Sequence, residues 1–320
     1  MNILLLAAVF TLGVQFAGFI VAAAWQTEVF YDVWGGLNFL SLAGIGWFTT
    51  TTTQHRPLIL IIMTVLFCIS RGWLLVFLAW RAHNRKGDSR FDNVKNHPLL
   101  FFVYWMVQAC WVYLVSMPLL IMQRNTQESL IHNATDTNTE TSSISILECF
   151  LLVGFGASIY LEISSDVQKT LWVERGRVGG FCTEGWWHYS RHPNYAGEIL
   201  QWWFAAVIAV VSSYTDTSTL SDPNLSWLGL VSPLFTMQIL LAVPGTGVWH
   251  AEGKNLKRYY ESTHHSSENS DYRETTSPVW PMPPTWYAGL SLPIKRWILL
   301  EWERYEYKPS SSSSRPGSPS

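Results

Sequence analysis

Long apolar runs separated by short polar stretches set the pattern of this chain. A helix needs about 20 mostly apolar residues to cross the hydrocarbon core. Seven runs qualify, at about 3–24, 33–53, 57–80, 98–122, 144–163, 195–213 and 227–248. The second is the least apolar, being rich in Thr and in Gly (Gly35, Gly36, Gly44, Gly46), although small residues let helices approach closely in lipid. The pattern predicts an all-α, polytopic transmembrane helical bundle of about seven spans within residues 1–283. Residues 284–307 then mix Trp286, Tyr287, Trp297, Ile298 and Trp302 with Lys295, Arg296 and Glu301, as expected of an amphipathic segment at the membrane interface. Residues 308–320 are Ser/Pro-rich and expected to be disordered, and 261–271 read as a polar insertion. Ala22-Ala23-Ala24 resembles a cleavage site, but the first run lacks a basic flank and is longer than a signal peptide's core, so it is read as a span.

Composition agrees. Charged residues make up 14% of the chain, against about 25% in soluble domains. The 18 tryptophans suit a protein with two membrane–water interfaces. Of the 21 Lys and Arg, 18 fall in the stretches 81–97 and 164–194 or beyond residue 250. The positive-inside rule makes those stretches and the C-terminus cytosolic, and seven spans then put the N-terminus in the lumen. Both Asn-x-Ser/Thr sequons, at Asn133 and Asn224, fall on the opposite side, where glycosylation would occur. The expected location is a multi-pass membrane protein of the endoplasmic reticulum. A net charge of −2 gives no reason to invoke nucleic acid. Cys68, Cys110 and Cys149 fall within spans, where a cysteine acts as a small buried apolar residue, and Cys182 lies in a loop. No Cys/His ligand spacing is present, so no metal is expected.

Candidate chemistry concentrates in Gly185–Trp203, GWWHYSRHPNYAGEILQWW. Pro193 suits the first turn of a helix, which would start near His192 with its positive dipole end beside Arg191, an anion site. Arg191, Asn194, Tyr195, Glu198 and Trp202 share one side of that helix at helical spacing. A membrane-interface anchor explains the aromatics and the arginine, but not a glutamate one turn inside the membrane, where charges usually serve function. Glu162, Asp166 and Lys169 likewise share a face, and Asp166–Lys169 can equally be read as a solvated ion pair. Arg71, in the middle of the third span, needs an anionic partner, either Glu148, Glu162 or Glu198 or a ligand phosphate. Gln108 with Trp105, and Asp32 with Trp34, read as helix-to-helix hydrogen-bonding groups. Together these groups predict a polar cavity opening to the cytosolic side.

The order of these elements resembles the steroid 5α-reductase-like membrane family, especially its branch of uncharacterised proteins sharing a domain of unknown function. The resemblance is carried by Asp32-x-Trp34, Arg71-x-Trp73, Asp88-Ser-Arg90-Phe91, Trp105-x-x-Gln108 and Glu162-x-x-x-Asp166-x-Gln168-Lys169, and above all by the run from Gly185 to Glu198 with Trp202-Trp203. It implies a bundle in which NADPH enters from the cytosol and a hydride passes to an activated double bond of a lipid or sterol-like substrate. Tyr195 and Glu198 would then be catalytic, with Asn194 beside them at the nicotinamide end. Arg71, Glu162, Asp166, Arg191, His192 and Tyr260 would complete the cofactor site. Glu252, Tyr260, Tyr272 and Pro278 resemble the family's closing pattern, although 261–271 stretches the spacing between the tyrosines and Ala196 stands where Phe is expected. Two alternatives remain open. S-adenosylmethionine-dependent membrane methyltransferases of the isoprenylcysteine or phospholipid type share an Arg-His-Pro-x-Tyr run, and a non-catalytic scaffold could keep the same fold.

Overall fold

The computed structural model describes residues 2–49, 57–85, 91, 94–132, 144–177, 180–215, 223–253 and 266–306. The fold is helical, and among the described residues β-structure is limited to an isolated bridge between Ser190 and Ser277. Six long helices come first, α1 (Ile3–Trp25), α2 (Tyr31–Thr49), α3 (Leu58–Arg85), α4 (Pro98–His132), α5 (Ile146–Glu174) and α6 (Pro193–Thr215). An interrupted helical stretch, Pro223–Gly253, follows. That stretch together with α1, α3, α4, α5 and α6 makes six segments long and apolar enough to cross a membrane. The 19-residue α2 is the less apolar second run, and a count of about seven spans is consistent with this architecture. The chain is a multi-pass membrane protein.

The helices outrun the apolar runs that predicted them. The fifth run ends near residue 163, yet α5 continues to Glu174, so Glu162, Asp166 and Lys169 sit on a continuous helix. The start of α5 carries a reciprocal cap. Ser145 Oγ accepts from the Glu148 N–H at 3.2 Å, and the Glu148 carboxylate accepts from the Ser145 N–H at 2.8 Å. Thr215 adds a third hydrogen bond to that carboxylate at 3.1 Å. Of the carboxylates proposed for Arg71, Glu148 is thus engaged as a helix cap.

The chain divides into two compact units, residues 1–159 with 200–236, and 160–199 with 237–320. In the first unit the glycines of α2 do what small residues do in lipid-embedded bundles. A Cβ on Gly35 or Gly46 would run into the amide of Gln108 or Gln123, and one on Gly36 would meet Leu75. Gly44, by contrast, faces open space. The approach allows backbone-directed bonds between helices, from Gln108 to Tyr31 O at 3.1 Å and from Gln123 to Ala43 O at 3.2 Å. Trp34 likewise donates to Val14 O at 2.8 Å. Tyr31, Phe91, Phe101 and Trp105 pack into an aromatic cluster against α1.

Arg71 is fully buried in the first unit. Its guanidinium lies 4.6 Å from the Trp202 ring centroid and 5.4 Å from that of Phe39, and donates to Ser70 Oγ at 2.9 Å. Ser70 in turn donates to Gln201 Oε1 at 2.6 Å. Aromatic faces and a hydroxyl–amide pair thus form part of the surroundings of this charge. The cysteines depart from expectation. Cys110 and Cys149 are exposed on the helix perimeter, while Cys182, from the loop, is buried. An apolar residue of a span need not face its neighbours, because lipid accepts it equally well.

In the second unit the chain leaves α5, makes a short 3-10 turn at Gly185–His188 and enters α6. The stretch foreseen as a polar insertion is helical from Ser266 to Thr275, with 261–265 outside the described residues. Residues beyond 283 form two short helices, Pro284–Ala288 and Leu292–Trp297, and a last 3-10 turn, Glu303–Tyr305. Tyr260 and the Ser/Pro-rich tail lie outside the described residues.

Candidate functional site

The polar run before α6 is fixed by three local devices. The Gln168 side chain accepts from the Trp186 N–H at 2.9 Å, and Trp187 donates from its ring to Ser165 O at 2.9 Å, tying the turn to α5. Gly185 sits at φ +59 directly over the Gln168 amide, a place where a Cβ would bring both backbone strain and a clash. Ser190 Oγ accepts from the His192 N–H at 3.1 Å, and Pro193 opens the helix as its sequence position predicts.

These devices bring two groups of side chains together. The first is Asn194 and Asp166, joined by a 3.1 Å hydrogen bond from the Asn194 amide nitrogen to the carboxylate. Asp166 and Glu162 are buried, whereas Asn194, Tyr195 and Glu198 are half-buried. The Asn194 carbonyl oxygen is buried and has no hydrogen-bond partner among the described residues. The Tyr195 ring stacks on His192, with centroids 5.3 Å apart and planes 9° from parallel. Lys169, for which a solvated ion pair with Asp166 is one of two readings of the spacing, rests its ammonium on the Trp172 and Trp187 rings, 4.5 Å and 4.3 Å from their centroids.

The second group is a buried charge cluster. Arg191 pairs with Glu301 and lies 3.6 Å from Glu252. Glu252 also holds the His192 ring at 2.9 Å. Arg273 reaches Glu252 at 3.4 Å and Glu301 at 3.7 Å. The Tyr287 hydroxyl donates to Glu301 at 2.6 Å. Burial opposes the charge on Arg191, yet the two carboxylates outweigh it and hold the guanidinium above its ordinary pKa. Burial and the adjacent Glu301 carboxylate push the Tyr287 hydroxyl well above the ordinary phenol range, so it stays a donor.

Of the residues singled out from sequence, Glu162, Asp166, Arg191, His192, Asn194, Tyr195 and Glu198 belong to the second unit, and Arg71 to the first. The partners of Arg191 were the part missed. Glu252 entered only through resemblance, Tyr287 and Glu301 only as parts of the amphipathic segment, and Arg273 only in the charge count. One signal was available for Glu301, an acid set between Leu299-Leu300 and Trp302.

His192 makes the cluster pH-sensitive. Burial lowers its pKa below the ordinary histidine value, only partly offset by the Glu252 hydrogen bond, while the Arg191 and Lys169 charges lower it further. As pH falls below about 6.5, an unfolded histidine protonates before the native one does. Stability is therefore full above that value and is lost as pH falls through the native pKa. The melting temperature in detergent is expected to drop between about pH 7.5 and 5.5, and His192→Asn to flatten the slope. A flat wild-type profile would show that His192 is solvated.

Fold and site together define a multi-pass helical membrane protein with a buried polar cluster at the start of one span, α6. The chain belongs to the family described as "Protein of unknown function (DUF1295)", which matches residues 18–276. No curated protein and no solved structure matches it.

Proposed function

We propose that the protein is a membrane-embedded reductase that takes NADPH and reduces an activated carbon–carbon double bond of a lipid or sterol-like molecule, in the endoplasmic reticulum with its C-terminus in the cytosol. The observation that carries this reading is the Asn194 side chain, which donates to Asp166 while its carbonyl oxygen stays buried without a partner among the described residues. A buried acceptor without a donor costs free energy, and a primary carboxamide such as that of nicotinamide supplies the missing N–H. The residues present thus fit the group. When bound, NADPH supplies the hydride.

The remaining work falls to the chain. Asp166 fixes the Asn194 amide so that its oxygen faces a ligand. Tyr195, held flat against His192, would donate a proton or hydrogen bond to the carbonyl of an enone. Glu198, one turn further along α6, would orient that group or serve as the acid. Glu162, Arg191 and His192 would line the cofactor region.

The test is equilibrium titration of the purified protein with NADPH and, separately, with S-adenosylmethionine. Saturable NADPH binding with no response to S-adenosylmethionine is expected. Binding of S-adenosylmethionine alone would make the protein a methyltransferase, and binding of neither would leave a scaffold.

A further inference from the structure

The carboxylate of Glu301 reaches the Arg191 cluster from beyond the end of the family match at residue 276. The segment that brings it is anchored at several points. Ser190 donates to Val279 O at 2.6 Å, the Met282 N–H to Tyr189 O at 3.1 Å, and the Tyr305 hydroxyl to Leu241 O at 2.8 Å. Immediately before Glu301, Leu300 adopts φ +65, a left-handed conformation that costs a branched side chain energy and persists only where surroundings impose it. The turn that closes the helix Leu292–Trp297, with the Glu301 N–H donating to Lys295 O at 2.9 Å, delivers this carboxylate.

Its receptor has donors to spare. Arg191 is 96% buried, with a relative exposure of 4%, yet its Nε and Nη1 make no hydrogen bond among the described residues, and neither does Arg273 Nε. Glu252 stays 3.6 Å from Arg191 because it is committed to His192 at 2.9 Å. Two guanidinium forks thus share two carboxylates, of which Glu252 faces them only as an ion pair at 3.6 Å and 3.4 Å without hydrogen-bond geometry, although such forks suit planar or tetrahedral oxyanions bound through two oxygens. Glu301 itself is 17% exposed in its side chain, so water reaches it.

The geometry points to an oxyanion site built from Arg191 and Arg273 in which Glu301 is an intrachain stand-in, displaced when a phosphate-bearing ligand binds. Tyr287 is the latch, because its hydroxyl holds Glu301 in place. The inference rests in part on the reading of Arg191 as lining the cofactor region, but its probes carry no nicotinamide, so its failure and that of the reductase reading are distinguishable.

Full-length protein in detergent would be titrated calorimetrically with inorganic pyrophosphate and, in mixed micelles, with phosphatidic acid. Wild type is expected to bind weakly. Glu301→Gln should bind at least one probe tenfold or more tightly, and Tyr287→Phe, which loosens the latch and leaves every charge in place, about threefold more tightly. A gain for pyrophosphate identifies a soluble phosphate ligand, and a gain for phosphatidic acid alone a lipid headgroup. Adding Arg273→Gln to Glu301→Gln should abolish the gain. Unchanged affinity in Tyr287→Phe, or a gain that survives loss of Arg273, would overturn the site. If Glu301→Gln does not fold, Tyr287→Phe alone decides.

Discussion

Arg191→Leu is expected to cost about 3–5 kcal/mol, the usual effect of removing one partner from a buried ion pair. The loss comes less from missing attraction than from what is left behind. Glu252 and Glu301 would remain largely buried, with Arg273, at 3.4 Å and 3.7 Å, the one arginine or lysine still paired with them among the described residues. The matching control is Arg175→Leu. Its partner Glu184 is also a carboxylate, but both side chains are more than half exposed, and such pairs are worth at most about 1 kcal/mol. Thermal melting of both variants in the same detergent decides the matter. Similar small shifts would mean that water screens the Arg191 cluster.

Asn194→Ala and Glu198→Gln are expected to weaken NADPH binding more than tenfold each, while the melting temperature of the ligand-free protein moves little. Asn194→Ala removes a side-chain hydrogen bond to Asp166 of a kind worth about 1.5–3 kcal/mol at most, but it also removes the one buried acceptor for which no partner is described in that side chain. Titration and melting must be read together. A large loss of stability with affinity intact would make Asn194 a strut between α5 and α6, and the reductase reading would lose the observation that carries it.

Much of this was legible in the residues. The start of α6 at Pro193 follows from the ring's fixed φ and missing N–H, which suit a first turn and little else. The close packing of α2 follows from its glycines. Helix ends were less legible. α5 runs past its apolar stretch because a helix that leaves the bilayer keeps its backbone hydrogen bonds and only changes what its side chains touch. The cysteines misled for a related reason, since hydropathy reports that a residue tolerates lipid, not which way it faces.

The sequence by itself determined that this is a helical membrane protein, where its spans lie, and which short run concentrates polar groups beside the membrane. Those properties depend on neighbours three or four residues apart and on summed transfer energies, which composition and spacing encode directly. Only the tertiary structure decided the company those groups keep. Arg191 meets Glu301, 110 residues away, Asn194 meets Asp166, and Lys169 lies on two tryptophan rings rather than in water. Such pairings join residues far apart in the chain, and whether a buried charge meets a carboxylate, a ring or a ligand is set by where the folded backbone delivers each side chain.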